Sequence, residues 1–313
     1  MIRCAFKWRG SRLFIASGWR EKLASIGISG QSNDWETVTK GDLVSASSSI
    51  TQCYKVALNS GESIYFKRYT YNRDRFRYWL RRSKAMTEVW GYGELSRIGI
   101  PVPEILAYGE QRQFGFLRAA FIVTLAVGES KDLKKFTDEL QSRIERKQTY
   151  RILAKQLASQ LRAAHEKGFF HHDLKWKNIL VRQTAGGSSL HWIDCPRAHH
   201  KAFHRQRAVV CDLASLARDA RDHLSPFEQL RFLHDYLGDE FDKAALRNLV
   251  RKINDRVYAK SAASLVHCGQ ALGEVQDLRP YTRLPVPSSA SFLPAPATLA
   301  ETRRIEPARR SSL

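Results

Sequence analysis

The stretch Phe169-Phe-His-His-Asp-Leu-Lys-Trp-Lys-Asn-Ile-Leu180 decides how the chain is read. Before it, Thr149 to Lys167 carries Ile152, Leu153, Leu157, Leu161 and Ala164 on one stripe and stops at Gly168, which predicts an amphipathic helix. After it, Ile179-Leu-Val-Arg182 predicts a short apolar strand. The polar residues between them have a spacing that suits phosphoryl transfer to a hydroxyl. Asp173 can orient the acceptor hydroxyl and take its proton, and Lys175 can reach the phosphoryl group in flight. Asn178, five residues after the acid, can turn back to a metal ion on the phosphates.

Outward from this loop, a hairpin should return a second acid to the metal. Thr184-Ala-Gly-Gly-Ser188 supplies the turn, and Leu190-His-Trp-Ile193 the returning strand. Asp194 then arrives 21 residues after Asp173 as the candidate Mg²⁺ ligand. Cys195-Pro196 follows it, and a proline with fixed φ argues against a mobile switch there. The pattern His-x-Asp-Leu-Lys-x-x-Asn, with an acid after the next hairpin, matches the catalytic loop of the protein-kinase-like fold. That fold needs a strand lysine for the nucleotide phosphates and a helix glutamate to hold it. Lys67 ends the apolar Ile64-Tyr-Phe66 strand, with Arg68 and Lys55 as competitors. Glu88 lies 21 residues on in a predicted helix from about 73 to 98, with Glu94 as competitor. A glycine-rich phosphate loop is missing. Ser45-Ala-Ser-Ser-Ser49 stands in its place, so the backbone amides of Ser47, Ser48 and Ser49 are the candidates to meet phosphate.

Five histidines call for a structural reading. His171 should brace the loop through hydrogen bonds. His172 stands where many protein kinases carry an arginine that reads a phosphate on the activation loop, so control by phosphorylation is not expected. His199, His200 and His204 follow Pro196 without an accompanying Cys or carboxylate pattern and read as loop residues rather than metal ligands.

The rest of the chain fits a two-lobed α+β protein: a strand-rich N-lobe at 41–126 and a helical C-lobe at 127–277. A basic extension at 1–40 with one short helix precedes them, and a Pro/Ser/Arg-rich tail at 278–313 reads as disordered. Asn59-Ser-Gly-Glu62 marks a hairpin, and further helices are expected near 208–222, 226–237 and 241–257. The 313 residues include 43% hydrophobic ones, enough for a sizeable core, and carry a formal charge of +20. Five scattered cysteines argue against a disulfide framework or a zinc ribbon and for a reducing compartment. The longest apolar stretch, Ala119 to Val127, is too short to span a bilayer, and the charged first residues lack a signal-peptide core. The charge points to anionic partners, densest from Lys67 to Lys84, where arginines alternate with Tyr69, Tyr71, Phe76, Tyr78 and Trp79.

From about Trp19 to Leu237 the chain resembles the lipopolysaccharide kinase family of the WaaP/InaA type. The resemblance rests on Tyr65-Phe-Lys-Arg-Tyr69, Lys84-Ala-Met-Thr-Glu88, Gly99-Ile-Pro-Val-Pro103 and His171 to Asn178. It also rests on Trp192-Ile-Asp-Cys-Pro-Arg-Ala198, Cys211-Asp-Leu-Ala214 and Leu230-Arg-Phe-Leu-His-Asp-Tyr236. It implies an ATP- and Mg²⁺-dependent kinase of a heptose or Kdo hydroxyl on the lipopolysaccharide core, peripheral on the cytoplasmic face of the inner membrane. It also implies that Asp212 supports the catalytic loop from below. Two other readings remain at this stage: a kinase of protein or small-molecule hydroxyls, and a non-catalytic kinase-like scaffold on membrane or nucleic acid. A basic chain does not suit a cationic small acceptor, no Ala-Pro-Glu-like segment follows Asp194, and a scaffold has no need of the polar residues. Specific nucleic-acid binding is not expected.

Overall fold

The computed structural model describes residues 9–29, 41–47, 51–71, 76–140, 143–200, 205–238 and 241–272. Side chains at 47, 143–145 and 260–272 are outside the description, as are Ser48, Ser49, Arg73, Arg75, His204 and the 278–313 tail.

An antiparallel six-stranded sheet forms the first lobe. Its strands are β1 (Gly10–Ile15), β2 (Asp42–Ser47), β3 (Thr51–Ala57), β4 (Ser63–Thr70), β5 (Ile105–Gln113) and β6 (Phe116–Leu125). They lie in the order β1-β5-β6-β4-β3-β2. Alternation sorts the side chains of β4 and β6 onto two faces. Ile64, Phe66, Phe121 and Val123 pack on one face with Leu23, Ile26 and Ile28. Tyr69 and Ile122 point to the other, against helix α2 (Lys84–Ile98). Lys67 shares the Tyr69 face by strand periodicity, so β4 delivers the lysine toward α2.

Residues expected to be an extension with one short helix hold that helix, α1 (Arg20–Ala24), and a strand as well. β1 pairs with β5 in register Leu13 to Gly109. Leu23 on α1 is fully buried and Ile28 nearly so, which covers a sheet face that would otherwise meet water. Each such side chain contributes roughly 1.5–3 kcal/mol. Gly109 makes the pairing possible, because a Cβ there would lie 2.5 Å from the Phe121 ring and 2.8 Å from the Arg12 carbonyl oxygen.

Helix α2 starts at Lys84, later than the expected 73. Leu80 has φ +54°, which a helix interior does not tolerate. Ser83 is extended and its hydroxyl accepts from the Met86 N–H at 3.1 Å, which caps the helix three residues further on. Gly99 ends it with φ +88°.

The second lobe is mainly helical, with β7 (Ser130–Asp132), α3 (Leu133–Glu139), α4 (Arg143–Glu166) and β8 (Phe169–Phe170). The hairpin β9 (Ile179–Thr184) and β10 (Gly187–Trp192) follows a 3-10 turn at Trp176–Asn178. Then come β11 (His199–His200), which pairs with β8, and α5 (Arg205–His223), α6 (Pro226–Leu237) and α7 (Lys243–Leu272). α6 carries the full capping box of Ser225 and Glu228 with Pro226 in its first turn. One apolar core runs from α2 through α4 to α5 and α7, so the two lobes are packed on each other around the loop at 171–178.

Candidate active site

The ammonium of Lys67 lies between two carboxylates. Its Nζ is 3.3 Å from Glu88 Oε2 and 2.5 Å from Asp194 Oδ1. Three elements distant in sequence therefore meet at one atom: strand β4, helix α2 and the second residue beyond β10. Arg68, the competitor on the next position of the strand, instead reaches Gln52 Oε1 at 2.5 Å. Glu94, the competitor one and a half turns along α2, pairs with Arg97 and His200.

Glu88 is 2% exposed and its carboxylate is held from both sides. Tyr69 Oη donates to Oε2 at 2.7 Å and Tyr92 Oη to Oε1 at 2.9 Å. Burial and the adjacent Glu88 carboxylate push both phenols well above the usual tyrosine range, so they remain donors. These two residues were not singled out in the sequence, although the signal is there. Tyr69 is two positions after Lys67, on the same strand face, and Tyr92 is four after Glu88, on the same helix face. Burial opposes the charge on Lys67, but Glu88 and Asp194 outweigh it and hold the ammonium above its ordinary range. Burial likewise opposes the charge on Asp194, and the Lys67 ammonium outweighs it, leaving that carboxyl below the usual carboxylate range.

The loop from His171 to Asn178 is bound to the second lobe through its backbone. Asp212 on α5 accepts the His171 N–H at 2.9 Å and the His172 N–H at 2.6 Å. The two bonds hold His172 at φ +62°, a left-handed conformation uncommon for residues other than glycine. Burial works against the Asp212 charge, yet the His165 hydrogen bond and charge, with His171 and His172, keep its carboxyl below the ordinary range. His165 Nδ1 in turn meets Tyr236 Oη at 2.8 Å. A further acid missed in the sequence, Asp219, accepts the Trp176 N–H at 2.8 Å. It lies seven residues after Asp212, two turns along the same face of α5.

Within the loop, Lys175 Nζ is 2.8 Å from Asp173 Oδ1, and Asn178 Nδ2 donates to the Asp173 carbonyl at 2.8 Å. That bond fixes the Asn178 amide with its oxygen as the end left for a cation. His171 is the brace expected of it. Its Nδ1 accepts from the Asp173 N–H at 3.3 Å, so Nε2 carries the proton and donates to the Ile193 carbonyl at 3.1 Å. The same imidazole thus joins the residue before Asp194 to the backbone of Asp173.

Asp194 sits at φ +59°, and the Cys195 packing explains how it is held there. Cys195 is fully buried, and its Sγ lies 2.6 Å from where a Cβ on Gly91 would be. Gly91 is therefore a socket in α2 for the residue after the acid. The Asp194 N–H donates to Tyr92 Oη at 3.1 Å, which fixes the other side of the same peptide. His199 stacks on His172 with ring centroids 4.1 Å apart, and His200 meets Glu94, so both belong to the frame around the loop. Ser47 closes β2 opposite Thr51, and Ser48 and Ser49, the other two residues expected to meet phosphate, lie outside the described residues.

Among the described residues no group of three or more His, Cys, Asp and Glu side chains could by itself hold a metal. Mg²⁺ in phosphoryl-transfer sites needs no such group, since one or two protein oxygens and the substrate phosphates complete its shell. The hard oxygen donors of Asp194 and Asn178 fit that requirement.

The model of the "Lipopolysaccharide kinase (Kdo/WaaP) family" matches residues 46–236, more than half of the chain. The chain belongs to this family. No curated protein matches the sequence. A solved structure titled "WaaP in complex with acyl carrier protein" is similar with a TM-score of 0.58 and 21% identity, covering 84% of this chain and 100% of that one. At that identity the likeness shows the kinase-like fold. Membership in the lipopolysaccharide kinase family makes the chain a phosphotransferase that acts on sugar hydroxyls of the lipopolysaccharide core. The readings as a kinase of proteins or as a non-catalytic scaffold fall away with it.

The socket at Gly91 yields a paired test. Gly91→Ala should cost about 1–3 kcal/mol of stability through overpacking and lower kcat by displacing Asp194. Gly93→Ala, inside the same helix with open space at its Cβ, should instead raise stability by about 0.5–1 kcal/mol and leave kcat unchanged. Thermal unfolding and steady-state kinetics of the two variants, side by side, check this. Asp212 gives a pH prediction. Its folded carboxyl is held below the ordinary value, so its stabilisation is present above the ordinary carboxylate range and lost as pH falls through the folded value. Asp212→Asn should therefore be less stable than wild type at neutral pH, with the gap in Tm closing as the solution is made acidic.

Proposed function

We propose that the chain transfers the γ-phosphate of Mg²⁺-ATP to a heptose or Kdo hydroxyl of the lipopolysaccharide inner core, at the cytoplasmic face of the inner membrane. The observation that carries this reading is the convergence of Lys67, Glu88 and Asp194 at one atom, beside a loop in which Asp173, Lys175 and Asn178 are mutually fixed. In this reading Asp173 orients the acceptor hydroxyl and receives its proton as the new P–O bond forms and the bond to the ADP leaving group breaks. Lys175 faces the transferred phosphoryl, and Lys67, positioned by Glu88, faces the other phosphates. Asn178 and Asp194 would hold Mg²⁺, which neutralises phosphate charge when bound. The backbone of Ser47, Ser48 and Ser49 would approach the phosphates without glycines. Little covalent work falls to the protein, so fixed geometry is its main contribution.

Asp173→Asn should lower transfer by about 10²–10⁴-fold while the circular dichroism spectrum and Tm stay at wild-type values. Labelled ATP with core oligosaccharides ending in Kdo alone or in heptose identifies the acceptor. Wild-type rates in the Asp173→Asn protein would remove the carboxylate from this role.

A carrier partner fits the same chain. The structural neighbour is titled with an acyl carrier protein, and a carrier with an acidic surface would suit a chain with a formal charge of +20. An apolar cavity of about 70 Å³ in the helical lobe, between Leu153, Leu157, Trp176, Leu216, Leu233 and Ile253, has room for the end of an acyl chain. Binding measured by calorimetry should weaken as salt is raised, and should be tighter for the acylated carrier than for the carrier without its acyl chain.

A further inference from the structure

We infer that residues 76–82 and the tip of the β5–β6 hairpin form a docking surface for an anionic lipid bilayer. The inference deepens the reading above, which places the acceptor in a membrane, by naming the side chains that would meet it. Phe76 is 86% exposed, and Trp79, Leu80 and Phe114 are 45%, 47% and 51% exposed. A single exposed apolar side chain is ordinary, but these four stand on two adjoining loops. Phe116 joins them, with the Phe76 ring edge-on at 5.5 Å and the Trp79 ring at 6.4 Å. The Leu80 N–H donates to the Gly115 carbonyl, which places the loop directly on the hairpin tip.

The backbone shows that these positions are set for their side chains. Leu80 and Phe114 have φ of +54° and +52°, where glycine or asparagine would be unstrained. Among the described residues only five non-glycine residues have positive φ, and two others of the five, His172 and Asp194, lie in the candidate active site. Strain at such positions persists where the surroundings enforce it, and the enforcing group here is a buried ion pair. Arg112 is 4% exposed and Glu110 5%. Arg112 Nε binds Glu110 Oε1 at 2.9 Å, while its Nη atoms donate to the carbonyls of Gly115 at 3.1 Å and Arg81 at 2.5 Å. One guanidinium thus pins the hairpin tip and the 76–82 loop to each other. An internal charge pair that rigidifies a surface of exposed aromatics is understandable if that surface has something to enter.

The chemistry around the tips selects the occupant. Arg77, Arg81 and Arg82 are exposed beside them, and the Arg9 guanidinium lies 5.7 Å from the Phe114 ring centroid. Aromatic side chains flanked by arginine suit the headgroup region of an anionic leaflet, where rings enter the interface and guanidinium groups meet phosphate. A side chain 86% exposed protrudes rather than lining a groove, as a wedge into lipid does. No helix among the described residues is long and apolar enough to cross a membrane, so attachment through this surface would be from one side. The surface adjoins Ser83, the cap of the helix that carries Glu88, so docking would set the orientation of the cleft to the bilayer.

The test is co-sedimentation of the full chain, without ATP or glycolipid, with vesicles of phosphatidylcholine alone or mixed with phosphatidylglycerol. The wild type should sediment with the anionic vesicles and release as salt is raised. Phe76→Ser combined with Trp79→Ser should lower partitioning by at least about tenfold, as expected for two aromatic side chains withdrawn from an apolar phase. Arg77→Gln with Arg81→Gln should remove the preference for the anionic lipid. Transfer to a soluble, deacylated acceptor should be unchanged in the aromatic double variant, which separates this surface from the catalytic reading. Wild-type sedimentation by that variant, or binding at this surface only to an acyl carrier protein, would overturn the inference. Failure of the kinase assay would leave the vesicle result standing.

Discussion

The ammonium of Lys67 is the point on which the rest of the structure depends. It is the one positive charge among two carboxylates, and each of the three groups comes from a different element. Removing Lys67 would leave two carboxylates without a counter-charge in a poorly solvated cleft, which is far more costly than never having placed the cluster there. The cluster carries one negative charge in excess, and burial determines where that excess sits. The Glu88 side chain is 3% exposed and held by two tyrosines, whereas the Asp194 side chain is 35% exposed. The carboxylate open to the cleft is therefore the one that can still receive a cation. Glu88 acts as the fixed counter-charge that lets Lys67 stay protonated and aimed.

The second constraint is the way Asp194 is held. Its backbone is in the left-handed region, uncommon for residues other than glycine, and three unrelated contacts hold it there: the Tyr92 hydroxyl on its N–H, the Cys195 side chain in the Gly91 socket, and the His171 imidazole on the preceding carbonyl. Pro196 then fixes the next φ. Rigidity of this kind means the geometry is set before a nucleotide arrives, and the reorganisation cost is met on folding rather than during turnover. The same imidazole that fixes Asp194 also fixes Asp173, so the two acids move as one unit.

Much of this arrangement was legible in the sequence because phosphoryl transfer demands particular residue types at particular spacings. The loop from His171 to Asn178, the hairpin to Asp194, the strand lysine and the helix glutamate all follow from local pattern. What was not legible is non-local. β1 falls within the residues that read as a basic extension with one short helix, because nothing near residues 10–15 reveals that their partner strand lies at 107–112. The start of α2 was placed too early because aromatic and basic residues at 76–82 have an acceptable helical periodicity. Only the Arg112 contact from another strand shows why the chain turns there instead. Tyr69 and Tyr92 fall between these cases. Their spacing was visible, but the need for two donors on one carboxylate appears only once Glu88 is known to be buried.

The formal charge of +20 takes on a sharper meaning once the acids are located. Several of the carboxylates that oppose it are turned inward: Glu88 on Lys67, Glu110 on Arg112, and Asp212 and Asp219 on backbone N–H groups of the 171–178 loop. Each neutralises a charge or a dipole inside the molecule and contributes little to the field outside. The surface is consequently more basic than composition alone implies. Anions are drawn to such a field, which acts over about a Debye length before any contact is made. The internal use of carboxylates and the external excess of arginine are thus two sides of one arrangement. The acids hold the site rigid, and their withdrawal from the surface leaves that surface positively charged.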